Sequence, residues 1–211
     1  MTKRTREDVS RVIKAYDVRG VVGEEITPEF IRDTGAAFAR LLREEGETTV
    51  AIGHDMRPSS PELAAAFSAG AREQGLDVIM LGLTSTDQLY FASGTLRCAG
   101  AMFTASHNPA QYNGIKLCRS GARPVSQDTG LREITDMLVD GVPAHEGEAG
   151  VEKQQDCLEV YGEYLRDLVD LHSIRPLVVA VDAANGMGGH TVPEVFKGLP
   201  LDVRALYFAL D

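Results

Sequence analysis

The segment 104–109 (Thr-Ala-Ser-His-Asn-Pro) brings together residue types that could transfer a group. Ser106 supplies a hydroxyl, His107 follows it directly, and Lys116 lies a short way along the chain. A serine on a loop that follows a strand is open to a substrate, and a nearby imidazole or amine can exchange a proton during attack. An Asn-Pro turn whose hydroxyl only caps the loop explains these residues equally well. The surrounding loops therefore have to decide between the two interpretations.

A second polar loop, 14–20, places Arg19 beside Gly20. Glycine allows a sharp backbone turn, and a guanidinium presented there can bind two oxygens of a phosphate. The same loop contains Asp17, and an exposed Asp/Arg pair on a turn is the usual explanation for such residues. Taken alone, the loop therefore leaves a structural explanation open.

A third polar loop, 53–60, follows a predicted strand and precedes a predicted helix. Helix N-termini favour anions, so Arg57 could belong to a phosphate site. It is equally consistent that Arg57 is solvated and that Ser59 or Ser60 only caps the helix. The three polar loops together favour a functional site more strongly than any one of them does alone.

The elements that must position these loops alternate between apolar runs and amphipathic stretches, which is typical of an α/β fold. Helices are predicted at 30–45, 61–74, 87–94, 158–171 and 188–196. Strands are predicted at 49–52, 76–82, 99–103, 114–118, 177–182 and 201–208. Gly, Pro and acidic residues collect at 139–150 and indicate a domain boundary. We therefore expect one domain over 1–150 and an incomplete second α/β domain over 151–211, because one β-α-β unit cannot make a covered sheet.

Composition excludes several classes of protein. The net charge is -10, which argues against a general nucleic-acid-binding protein, although a local cationic cluster can still bind a small anion. No apolar run is long enough to cross a membrane. The three cysteines are widely spaced and odd in number, which favours reduced thiols in a cytoplasmic protein over a disulfide framework.

In this order the loops resemble those of the α-D-phosphohexomutase superfamily, and specifically its bacterial phosphomannomutase/phosphoglucomutase branch. The matching segments are the phosphoserine loop 104–109 with 112–116, the N-terminal loop 14–20, the second loop 53–60, and the opening of the second domain at 178–189. The resemblance implies four α/β domains around a cleft, the first having a mixed sheet between helices. It also implies that this chain is truncated before the Asp-rich metal loop, the sugar-selecting loop and the C-terminal phosphate-binding domain.

The resemblance further implies that Ser106 carries a phosphoryl group exchanged with mannose or glucose 1- or 6-phosphate through a hexose 1,6-bisphosphate. Mg²⁺ would contact the phosphate on Ser106. Lys116 is the candidate acid/base, with His107 as its partner or alternative, and Arg19 would orient the phosphoserine or substrate. Tyr16 and Asn113 complete the expected substrate-binding set, whereas Asp17, Asp55 and Arg57 are expected to hold the loops in place.

Two other functions stay open from the sequence. A serine-based sugar phosphatase would pass the phosphoryl group to water, and a non-catalytic interaction module would keep only the fold. We expect this chain to fold but to turn over poorly, and to associate beyond the monomer, whereas the full-length protein is expected to be a monomer or weak dimer.

Overall fold

The computed structural model describes residues 4–169, 171 and 173–211, so the first three residues of the predicted first domain and positions 170 and 172 of the second lie outside the described residues. The helices are α1 (Arg6–Val12), α2 (Pro28–Glu44), α3 (Ser60–Glu73), α4 (Thr86–Leu96), α5 (Leu131–Asp140), α6 (Leu158–Leu168) and α7 (Gly188–Val195), with a 3-10 turn at Gln127–Thr129. The strands are β1 (Val18–Val21), β2 (Thr49–His54), β3 (Asp77–Leu83), β4 (Ala99–Phe103), β5 (Tyr112–Arg119), β6 (Arg123–Pro124), β7 (Glu152–Gln154), β8 (Leu177–Asp182) and β9 (Leu201–Leu206).

The main sheet is mixed and has the order β1-β5-β4-β2-β3-β7, with β6 paired to β5. Strands β2, β3, β4 and β7 run parallel, whereas β5 runs antiparallel to β4 and β1. The register sets Val18 of β1 opposite Ile115, and Ile115 opposite Phe103 at the end of β4. The loops that leave β2 and β4 and the loop that enters β1 therefore converge at one edge of the sheet, where α/β folds bind ligands.

Helices cover both faces of this sheet. On one face, α2, α3 and α5 pack around a buried aromatic group in which the Phe67 ring lies 6.3 Å from Phe38 and 5.7 Å from Phe103. On the other face, Leu89 of α4 packs with Met102. Burial on both faces explains why the predicted strands read as continuous apolar runs. The arrangement confirms the predicted mixed sheet sandwiched by helices.

Helices α2 and α3 approach each other through two glycines. A Cβ at Gly35 would lie 2.3 Å from the carbonyl oxygen of Phe67, and a Cβ at Gly70 would lie 1.9 Å from that of Arg32. Because both obstacles are backbone atoms, a side chain at either position would force the helices apart. The layer that covers the sheet beneath the loop 53–60 therefore depends on these glycines.

We expect Gly70→Ala to lower the free energy of unfolding by about 2 kcal/mol, since overpacking an interior contact typically costs 1–3 kcal/mol. Gly94→Ala is the matched control, because Gly94 is also helical and a Cβ there meets nothing within 4 Å. That control should be neutral or stabilising by up to ~1 kcal/mol, as alanine is the better helix former. Urea unfolding of both variants measures the difference, and equal stabilities would contradict the proposed contact.

The second, smaller sheet pairs β8 and β9 in parallel over six residues, with α6 and α7 packed together beside it. The residues of β8 alternate between partly buried and exposed, and Val178 is 69% exposed. The two helices and two strands predicted for this part of the chain are present. The expected association beyond the monomer stays a prediction.

The sequence analysis does not predict five of the helices and strands: helices α1 and α5 and strands β1, β6 and β7. Four of them are seven residues or shorter, whereas α5 has ten residues and is a helix that the prediction missed. Strand β7 consists of three exposed polar residues and pairs with β3, so the main sheet takes a strand from beyond position 150. The division at 150 itself stays a prediction. The predicted helix 158–171 ends at Leu168, because Val169 adopts an extended conformation, and position 170 of that prediction lies outside the described residues.

The three cysteines are free and buried, as expected for reduced thiols. Burial raises the pKa of the Cys98 thiol to about 11, so it stays protonated at neutral pH. Within the described residues, no helix combines the length and the apolar character needed to cross a membrane.

Candidate active site

Ser106 lies on the loop that leaves the carboxyl end of β4, and its side chain is exposed. Its backbone has a φ of 52°, in the left-handed region that residues other than glycine seldom adopt. The Ser106 N–H donates a 3.0 Å hydrogen bond to the Thr104 hydroxyl, which helps to hold this conformation. The Ser106 hydroxyl lies 3.5 Å from Nδ1 of His107, so a histidine nitrogen is within reach of that hydroxyl. Strained, exposed residues of this kind cluster at functional sites.

Arg57 holds the Ser106 loop in its conformation through hydrogen bonds to the loop backbone. Its guanidinium donates to the carbonyl oxygens of four loop residues at 2.7–3.0 Å: Ser106, Asn108, Pro109 and Tyr112. The Arg57 side chain is only 11% exposed and lies 3.4 Å from the Asp55 carboxylate, which in turn accepts hydrogen bonds from the Arg57 N–H and the Ser60 hydroxyl. The prediction that Asp55 and Arg57 hold the loops in place is confirmed.

Asn113 lies beneath the Ser106 loop, and its expected contact with substrate stays a prediction. Its side chain is fully buried and donates to the hydroxyls of Ser59 and Ser60 at 2.8 and 2.9 Å, while its oxygen accepts from the Gly114 N–H. Ser59 is the N-cap residue of α3, as one of the two predicted alternatives has it, but its side chain makes no capping hydrogen bond. These hydroxyls instead join the loop 53–60 to β5, a role that local sequence does not distinguish from capping.

Asp17 brings the two expected cationic residues together. It is buried and accepts two hydrogen bonds from the Arg19 guanidinium, whose Nη1 donates to Asn108 Oδ1 at 2.9 Å. The Lys116 ammonium lies 3.9 Å from the same Asp17 carboxylate. Arg19 therefore touches the Ser106 loop directly, and Lys116 joins it through a shared partner. The side chains of Arg19 and Lys116 stay about one third exposed, so both can meet a ligand.

The N-terminal loop is tied down by Gln127, a residue that sequence reasoning misses. Its side-chain amide donates to the Lys14 carbonyl at 2.9 Å and its N–H donates to the Ala15 carbonyl at 3.0 Å. Tyr16 follows directly and is 74% exposed, which leaves its ring open to solvent at the expected position. Gln127 and Lys14 are 113 residues apart, so no local pattern links them.

The assembled groups suit the transfer of a phosphoryl group. An exposed hydroxyl stands on a rigid loop, an imidazole is adjacent, and two cations surround a buried carboxylate that orients them. Phosphoryl transfer depends on positioning and on stabilising negative charge more than on covalent chemistry.

The described residues fit a Mg²⁺ ion poorly by themselves. They contain no group of three or more His, Cys, Asp or Glu side chains placed to hold a metal. The carboxylates of the surrounding loops, Asp17 and Asp55, are both paired with arginines. Once phosphorylated, Ser106 would offer Mg²⁺ phosphate oxygens as ligands. No step of the transfer is therefore assigned to the metal.

Comparison with known proteins finds the same family in a family model and in individual relatives. The family model described as phosphoglucomutase/phosphomannomutase, alpha/beta/alpha domain I, matches residues 10–140. A protein named phosphohexose mutases from Xanthomonas campestris is 41% identical over 199 residues, covering 94% of this chain and 44% of the relative. A phosphomannomutase from Escherichia coli is 38% identical over 188 residues, covering 87% of this chain and 41% of the relative.

A solved structure gives the same similarity in three dimensions. The phosphoglucomutase/phosphomannomutase family protein from Burkholderia thailandensis matches with a TM-score of 0.87 at 32% identity, covering 96% of this chain and 45% of that one. The chain thus spans less than half the length of these relatives.

Proposed function

The chain belongs to the phosphoglucomutase/phosphomannomutase family, and we propose that its Ser106 carries the phosphoryl group in a reaction that interconverts hexose 1- and 6-phosphates. The observation that carries the proposal is the exposed, left-handed Ser106 on a loop fixed by four hydrogen bonds from Arg57. A nucleophile held in this way loses little further freedom when it meets a substrate.

In the proposed reaction, the hydroxyl of a hexose monophosphate attacks the phosphorus of phosphorylated Ser106. The bond between phosphorus and the serine oxygen breaks, and a bond to the sugar oxygen forms, which gives the hexose 1,6-bisphosphate. The proton of the sugar hydroxyl passes to the side-chain nitrogen of Lys116 or His107, and the Ser106 oxygen takes up a proton as its bond to phosphorus breaks. Transfer of the other phosphoryl group of the bisphosphate to that oxygen, with the proton movements reversed, restores phosphoserine. Arg19 stabilises the negative charge of the transferred group, and Tyr16 contributes an exposed ring to the substrate's binding surface.

The substrate class proposed is mannose or glucose phosphate, with hexose 1,6-bisphosphate as activator and Mg²⁺ as the ion that would neutralise phosphate charge when bound. A cytoplasmic location is part of the same proposal. The exposure of Ser106 also supports the alternative of a serine-based phosphatase, because nothing among the described residues excludes water from its hydroxyl.

Incubation with glucose 1,6-bisphosphate and Mg²⁺ tests the proposal. We expect peptide mass spectrometry to find one added phosphoryl group on the peptide that contains Ser106, and the released sugar to be a glucose monophosphate. Subsequent addition of glucose 1-phosphate should discharge the phosphoserine to sugar in the mutase, but release inorganic phosphate at an unchanged rate in a phosphatase. Phosphorylation of another residue would overturn the assignment of Ser106.

A further inference from the structure

A cavity of about 620 Å³ lies between helices α4 and α6. Its lining residues fall at 87, 90, 91, 94 and 95 on α4 and at 161, 164 and 165 on α6, which is the spacing of a single face of each helix. None of the described residues of the loops 14–20, 53–60 and 104–116 lines it. Cavities of about 300–1,000 Å³ are typical of small-molecule sites. The two helices therefore border a space of ligand size that the proposed phosphoryl transfer does not use.

Aromatic rings form much of the wall of this cavity. The Phe91 ring centroid lies 5.5 Å from that of Tyr161 and 5.0 Å from that of Tyr164, and these three residues are called the aromatic cluster below. Tyr164 is 47% exposed, so the cluster stays open to a ligand although its rings contact one another. The faces of aromatic rings carry partial negative charge and attract cations.

The cavity also has a net negative charge. Among the described residues that line it, Asp87 alone carries a formal charge. The Asp87 side chain is exposed, and it forms no hydrogen bond or ion pair with any residue that the structure describes. Arg166 of α6 donates instead to the carbonyl oxygens of Glu194 and Val195. The carboxylate is therefore available to a cation that enters the cavity.

The charge of Asp87 acts on a tyrosine of each helix. Burial raises the pKa of Tyr90 on α4 and of Tyr161 on α6, and the negative charge of Asp87 adds to both shifts. Both phenols therefore keep their protons at neutral pH. Because one carboxylate influences both walls, it lies close enough to act on a ligand between them.

We propose that this cavity binds an organic cation, whose alkylated ammonium group lies against the aromatic cluster and pairs with the Asp87 carboxylate. Aromatic rings bind quaternary ammonium groups through cation–π attraction. The carboxylate adds a Coulomb attraction that is stronger beside the protein than in bulk water. A hexose phosphate is an anion that the carboxylate would repel, so the ligand of this cavity belongs to a different chemical class from the proposed substrate.

Choline and its uncharged carbon isostere, 3,3-dimethyl-1-butanol, separate the contribution of charge from that of apolar contact. Titration of the unchanged chain with each compound is followed by nuclear magnetic resonance of the backbone amides. Choline should shift the amides of Gly94 and Thr95 with saturation, because both residues line the cavity. The isostere should bind about fivefold more weakly, the size expected for a cation–π contact at an exposed site. Sodium chloride at the same concentration should give no saturable shift.

Two pairs of variants test the groups assigned to the cation. Asp87→Asn should weaken choline binding about fivefold and leave binding of the isostere unchanged, because it removes only the charge. Glu62→Gln is the matched control, since Glu62 is an exposed carboxylate in the first turn of α3, as Asp87 is in α4. Tyr164→Leu should also weaken choline binding about fivefold, whereas Tyr164→Phe keeps the ring and should bind as the unchanged chain does.

Equal affinities for choline and its isostere, or no saturable shift at Gly94 and Thr95, would overturn the proposal. Both results come from the unchanged chain, so neither depends on the folding of a variant. Tighter binding of glucose than of choline at these amides would show a carbohydrate surface instead. Equal weakening by Asp87→Asn and Glu62→Gln would remove the carboxylate from the site, and equal binding by Tyr164→Leu and Tyr164→Phe would remove the ring; either result contradicts the proposal.

Discussion

Ser106→Ala is expected to abolish phosphoryl transfer to the chain, with incorporation from glucose 1,6-bisphosphate falling by a factor on the order of 10³ or more. Among residues 4–169, 171 and 173–211, no other hydroxyl combines the exposure, the loop held by Arg57 and the adjacent imidazole of Ser106. The measurement is the rate of phosphopeptide formation by mass spectrometry.

The left-handed backbone at position 106 requires a second variant. Alanine is strained at a φ of 52°, so Ser106→Ala could act by moving the loop. Ser106→Gly removes the same hydroxyl and relaxes the backbone, and it should be equally inactive while keeping full stability. Phosphate incorporation by Ser106→Gly at the normal rate would show that another residue is the acceptor.

Arg57→Met is expected to lower the free energy of unfolding by about 2–3 kcal/mol, because it leaves buried polar partners without their cation. The variant loses the hydrogen bonds to four loop carbonyls and leaves the buried Asp55 carboxylate without its charge partner. Phosphorylation of Ser106 should slow at least about tenfold, since misplacing a reacting group by about 1 Å costs as much as 10²-fold. Urea unfolding and the phosphopeptide assay measure the two effects.

Arg132→Met controls for the loss of an arginine, since its exposed pair with Asp128 should contribute less than about 1 kcal/mol. Hydrogen exchange locates the effect, and we expect faster exchange in Arg57→Met over residues 104–113 with the sheet unchanged. A variant with slower phosphorylation but normal exchange in this segment would mean that Arg57 acts on the substrate instead of on the loop.

Much of the fold could be predicted because its signals are local. The strand 99–103 is predicted with the bounds it has, since it is a short apolar run between turn residues. Helix α4 begins after Ser85, whose side chain and that of Gln88 form a reciprocal capping box. Strand β1 is not predicted, because it is four residues long and two of them are Arg19 and Gly20.

The candidate site was predictable only in part, because some of its residues act through contacts that are distant in the sequence. Ser106, His107, Arg19 and Lys116 are functional groups whose residue types indicate chemistry wherever they lie. The hydrogen bonds from Asn113 to two serine hydroxyls could not be predicted, because an amide beside a glycine has the same local sequence whether it faces a ligand or those hydroxyls. Gln127 gives no signal, since its partners are backbone carbonyls of a distant loop.

The sequence by itself determined the α/β class, the family resemblance and the position of the candidate serine loop, because each depends on residues that are adjacent or regularly spaced. Only the tertiary structure decided which loops meet. The strand order β1-β5-β4-β2 places the 14–20, 104–109 and 53–60 loops side by side. Arg57 reaches Ser106 across 49 residues of sequence, and Arg19 reaches Asn108 across 89. Such contacts follow from pairing and packing over the whole sheet, which no local pattern of residues encodes.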